Sequence, residues 1–164
     1  MEIKVQAEIY RLGLFIEFFQ VKNVIEWADQ LIEKLDQPPY EILEISLSSK
    51  STIASVCSKL TDVKGECDEA LPIQEILNLL NNELIQTSDV TKICTYMYRL
   101  VGHIPDSCED MERSIINLTD RWDMAVDGYY GDVEEVCNEI YEFLKEFESL
   151  EKGLFYDGQA TSTK

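Results

Sequence analysis

Apolar residues in this chain recur at intervals of three and four, the spacing of helices buried along one face. Val21, Val24, Ala28, Leu31, Ile32 and Leu35 form one such stripe, with Trp27 at its border. Five more follow: Ile53, Val56, Cys57 and Leu60; Ile73, Ile76, Leu77, Leu80 and Leu84; Val90, Ile93, Cys94, Met97 and Val101; Met111, Ile115, Leu118, Trp122 and Ala125; Val133, Val136, Cys137, Ile140, Leu144 and Phe147.

Start and stop signals fall between the stripes. Ser88 is expected to cap the helix opening at Asp89 and Val90, Ser107 the one containing Asp110, and Asp132 the last, with Glu135 three residues on. Pro72 and Pro39 suit the first position of a helix. Gly102 with Pro105 is expected to end one helix, and Gly128 with Gly131 to break the chain before the last.

Two segments read both ways. Ile3, Val5, Ala7 and Ile9 alternate as in a strand, yet Val5, Ile9 and Leu12 fit a helix. No second strand offers itself as a partner, and an unpaired strand leaves its backbone unsatisfied, so residues 3–12 are assigned to a helix. Tyr40 to Leu47 is read as a short helix behind the Pro38-Pro39 corner. The expectation is an all-α fold of about eight antiparallel helices, in an irregular bundle or short helical array. It forms a single domain over 1–152 with a flexible tail over 153–164.

Charge changes the picture more than composition does. The chain carries 32 acids against 14 bases, a formal net charge of −18. A surface of that sign repels phosphate backbones and anionic lipids, so neither nucleic acid nor membrane is expected as a partner. Residues 106–151 alone hold fifteen acids and three bases, Arg113, Arg121 and Lys145. The N-terminal stretch has no basic n-region or uninterrupted apolar run, and no stretch is apolar enough for a membrane helix, so a cytoplasmic location is expected. The five cysteines (Cys57, Cys67, Cys94, Cys108, Cys137) are odd in number, widely spaced and without a CxxC pair, which points to reduced structural thiols.

Catalytic motifs are scarce. His103 is the only histidine, and in RLVGHIPDS it lies at a helix end, where capping the last carbonyls is the expected role. Neither GxGxxG nor GxxxxGK[ST] occurs, and no cofactor is expected. Glu41 with Glu44, Glu109 with Glu112, and Glu139 with Glu142 form ExxE pairs that could hold Mg2+, as in a metal-dependent nucleotide hydrolase. Among 32 acids such pairs also arise as plain solvated faces.

The stretch from Arg121 to Phe143 carries the candidate site. Tyr129 and Tyr130 lie on a glycine-flanked turn bracketed by Asp123, Asp127, Asp132, Glu134 and Glu135. Exposed aromatics ringed by carboxylates suit the binding of a basic protein, the rings supplying contact area and the acids steering encounter. The alternative is that both tyrosines tuck against the helix pair.

Glu26 to Leu47 reads EWADQLIEKLDQPPYEILEISL. Its Trp27-Ala28-Asp29 helix, Pro38-Pro39 turn and Glu41-to-Leu47 helix resemble a group of small, acidic, all-helical bacterial proteins of uncharacterised function. That group is similar to the immunity proteins encoded beside secreted polymorphic toxins. The resemblance implies a bacterial cytoplasmic protein that binds a cognate toxin domain and blocks it without chemistry. The function expected is therefore a non-enzymatic protein-binding module. The alternatives are the metal-dependent hydrolase and a regulatory partner protein unrelated to toxins.

Overall fold

The computed structural model describes residues 1–148. They form eight α-helices and no strand: α1 (Ile3–Phe15), α2 (Val21–Lys34), α3 (Tyr40–Ser46), α4 (Ile53–Asp62), α5 (Ala70–Thr87), α6 (Val90–Leu100), α7 (Glu109–Val126) and α8 (Val133–Lys145). Two 3-10 turns, Val101–His103 and Asp106–Cys108, join α6 to α7. The fold is all-α, as expected. The tail expected over 153–164 and the last residues of the expected domain, 149–152, lie outside the described residues.

α1 is buried on two sides, which explains why its sequence reads two ways. Val5, Ile9, Leu12 and Ile16 face a core shared with α5, α6, α7 and α8. Ala7, Tyr10 and Leu14 face a second core with α2, α3 and α4. Apolar residues on both faces blur the helical stripe into apparent alternation. Phe19, just beyond α1, packs against both cores and meets the Tyr10 ring at a tilt of 36°, with centroids 4.9 Å apart. Each fully buried Ile or Leu here is worth about 1.5–3 kcal/mol over its exposed state.

The Pro38-Pro39 corner orients α3 against α2, and polar bonds then lock it. Trp27 Nε1 on α2 donates to Gln6 Oε1 on α1 at 2.7 Å, and Ser46 on α3 donates to Asp29 on α2. Lys59 Nζ on α4 donates to Ser48 Oγ at 2.7 Å and to the Glu44 carbonyl at 3.1 Å. Within the resembled stretch, the tryptophan, aspartate and serine thus serve as helix-to-helix ties.

Several helix boundaries differ from expectation. Ser88 is not the cap of α6: it sits in the left-handed region at φ 55° and closes α5, while Asp89 accepts from the Lys92 N–H at 3.1 Å. Pro72 is the third residue of α5, because Asp68 accepts from the Ala70 N–H at 2.8 Å and starts the helix earlier. The third N–H of a helix has no intrahelical acceptor, so proline is tolerated there. Pro39 precedes α3 instead of opening it. Ser107 does not cap α7; it lies inside the 3-10 turn that leads into that helix. Ile53 and Val133, assigned to apolar stripes, are exposed, since each is the first residue of its helix and projects past the core.

Candidate partner-binding surface

The turn between α7 and α8 begins where Gly128 takes φ 74°. The Tyr129 N–H reaches back to the Met124 carbonyl at 2.9 Å and the Gly128 N–H to the Ala125 carbonyl at 3.1 Å. That pair of bonds is a Schellman ending, which needs a residue without Cβ strain at its left-handed position. The Tyr130 N–H also bonds to the Met124 carbonyl, at 3.2 Å. Gly131 then turns at φ 95°, and Asp132 caps α8 by accepting from the Glu135 N–H at 2.9 Å.

This backbone turns both tyrosines outward. Tyr129 is 82% and Tyr130 77% exposed, so neither tucks against the helix pair. Met124, Val126 and Val133 are exposed beside them and extend the apolar surface. Sequence reading missed these three; the two α7 positions fall off the buried stripe, and that is the signal that could have found them.

Asp123, Asp127, Asp132, Glu134 and Glu135 are all exposed around the turn. Among the described residues, none of the five lies within ion-pair distance of a basic side chain. The nearby cations are already engaged. Arg121 on α7 binds Glu139 on α8 in bidentate fashion, its Nη2 donating at 2.7 Å, and Arg113 donates to Glu109 at 2.7 Å. The Arg121 hydrogen bond holds the Glu139 carboxyl below its usual range. Beyond the turn, Glu135, Glu139, Glu142 and Glu146 follow one face of α8. They line an open groove of about 780 Å³, with Leu118 and Phe143 also in its lining.

The other candidates are placed differently. His103 stacks on Phe15 with ring centroids 4.7 Å apart, so its role is packing and not the expected capping. Burial, with Arg11 nearby, lowers its pKa below the usual value. Each ExxE pair has at least one carboxylate engaged: Glu109 with Arg113, Glu139 with Arg121, and Glu41 with Lys64. Among the described residues, no three His, Cys, Asp or Glu side chains are grouped so as to hold a metal ion. All five cysteines are free thiols, and burial, with Asp123 adding to it, pushes Cys94 up to about 12. A thiol at that value stays protonated and is no nucleophile.

No helix among the described residues is long and apolar enough to cross a membrane. No family model matches the chain, and no curated protein or solved structure is significantly similar to it.

Proposed function

We propose that this chain is a non-enzymatic protein-binding module, an immunity-type inhibitor whose acidic α7–α8 surface covers the basic groove of a toxin domain. The observation that carries the reading is the α7–α8 turn. It presents Tyr129 and Tyr130 to solvent among five carboxylates, none of which, among the described residues, lies within ion-pair distance of a basic side chain. Tyrosines supply large contact area at small entropy cost, and a field of one sign speeds the encounter with a basic partner. The resemblance of Glu26 to Leu47 to small acidic bacterial proteins supports the same class and a cytoplasmic site of action.

The test measures binding to a panel of basic, nuclease-type toxin domains, beginning with any encoded beside this chain. The informative variant combines Asp127→Lys, Tyr130→Ala and Glu134→Lys. It leaves Asp132 alone because that residue caps α8. A hot-spot tyrosine contributes about 2 kcal/mol, so affinity is expected to fall at least about 30-fold. The association rate should become less sensitive to salt. Binding unchanged by the triple variant sinks the placement. Absence of any bound domain, or turnover of a nucleotide panel with Mg2+ or Mn2+, sinks the inhibitor reading.

A further inference from the structure

A cleft of about 330 Å³ opens where α1, the start of α5 and the connection from α6 to α7 meet. That volume lies at the lower end of the roughly 300–1,000 Å³ that small-ligand pockets occupy. Leu12, Pro72, Ile73 and Pro105 supply apolar walls, and Arg11 and His103 line it beside them. Phe15 brings those two polar groups together. The His103 ring stacks on it with centroids 4.7 Å apart, and the Arg11 guanidinium carbon lies 5.6 Å from the same ring.

The cleft keeps hydrogen-bond donors that the fold does not use. Lys4, on its wall, is committed: Nζ donates to the Thr61 carbonyl at 2.8 Å and pairs with Glu8 at 2.9 Å. Arg11 meets Glu8 through Nε alone, at 2.7 Å, and its two Nη groups have no hydrogen bond among the described residues. Neither ring nitrogen of His103 has one there either. A neutral imidazole carries one N–H, so three donors from two side chains face one space with apolar sides.

Charge and shape select what can use them. The walls carry two bases, Lys4 and Arg11, against two acids, Glu8 and Glu69, so the cleft is locally neutral in a chain of net −18. Charges more than about 8 Å away are largely screened at physiological salt, and a singly charged anion is repelled half as strongly as a dianion. With Nε taken by Glu8, the guanidinium offers its end-on edge, whose two Nη groups match the two oxygens of a carboxylate. The aliphatic and proline walls suit a compact hydrocarbon body behind it. We propose that this cleft binds a small monocarboxylate with an aromatic or branched apolar body, its carboxylate held by Arg11 and His103.

Titration of the full chain with sodium benzoate, followed by NMR, tests this. The His103 imidazole and Ile73 methyl signals should shift together and saturate, with a dissociation constant of about 1 mM for a ligand of this size. Arg11→Lys keeps the charge but loses the fork, and should weaken binding at least about tenfold. His103→Phe keeps a ring against Phe15 but removes the donor, and should weaken it at least about fivefold, read from Ile73. Circular dichroism checks that both variants keep the fold. Benzyl alcohol, which lacks the charge, and inorganic phosphate, which lacks the apolar body, should each bind at least about tenfold more weakly than benzoate. The proposal is overturned by the absence of a saturable shift up to about 20 mM benzoate. It is equally overturned by unchanged affinity in both variants, or by benzyl alcohol or phosphate binding as tightly as benzoate.

Discussion

Gly13 sits within α1, where alanine should be the better residue by about 1 kcal/mol of helix propensity. The structure reverses that sign. A Cβ added at Gly13 would lie 2.1 Å from Phe19 Cδ2, 2.8 Å from Cε2 and 3.0 Å from Cγ, where about 3.5–4.0 Å is comfortable. The ring must therefore retreat by more than an ångström, and it cannot do so freely. It is held between Tyr10 at 4.9 Å and Phe18 at 5.0 Å, and it packs against both cores. Moving the backbone instead would stretch the bonds that the Phe18 and Phe19 N–H groups donate to the Gly13 carbonyl, at 2.8 and 3.0 Å. Overpacking costs about 1–3 kcal/mol, and an approach as close as 2.1 Å belongs in the upper half of that range, so after the propensity gain of about 1 kcal/mol Gly13→Ala should destabilise by about 1–2 kcal/mol. Urea unfolding followed by circular dichroism would show a lower midpoint at unchanged m. Gly102→Ala is the control, because an added Cβ there meets nothing within 4 Å. Pairing Gly13→Ala with Phe19→Leu should shrink the cost, since the two side chains share one space. A Gly13→Ala protein as stable as the wild type, or more so, refutes the reasoning.

Two further outcomes follow from single residues. Asp132→Ala should destabilise by about 1 kcal/mol through loss of the α8 cap, while Asp132→Asn should retain most of it; equal thermal midpoints for the alanine variant and wild type would remove the cap's role. His103 has a folded pKa lowered below 6.5 by burial and by Arg11, so as pH falls the unfolded chain takes up this proton first. Stability should therefore decline from about pH 6.5 downward more steeply in wild type than in His103→Gln, and a stability difference that stays constant over that window contradicts the assignment.

Periodicity located α2 and α4 to α8 because each presents one apolar face to a core, and one-sided burial is what a stripe records. It misjudged nothing essential in α1, yet it could not separate helix from strand there, since Ala7 and Tyr10 serve one core while Val5 and Ile9 serve the other. The caps were harder. Ser88 and Asp89 are both good capping residues side by side, and only the left-handed backbone of Ser88 shows that it belongs to the preceding helix. The tyrosine turn was legible as a turn from its two glycines, but not as exposed, because periodicity has no meaning outside a helix. Ties such as Trp27 to Gln6 and Arg121 to Glu139, 21 and 18 residues apart, depend on which helices meet and leave no local trace.

The order of the α7–α8 turn bears on how a partner would be held. Its backbone is fixed by two positive-φ glycines, the Schellman pair and the Asp132 cap, so Tyr129 and Tyr130 are displayed on a preorganised segment. Ordering a loop is one of the main costs of association, and here folding has already met it. The charge works in the opposite sense. Five like charges around one turn repel each other in the free protein, which weakens the local fold. A cationic partner relieves that repulsion, so its binding energy and the stability of α7 and α8 are coupled. Bound partner should accordingly raise the thermal midpoint most at low salt, where the repulsion it removes is greatest.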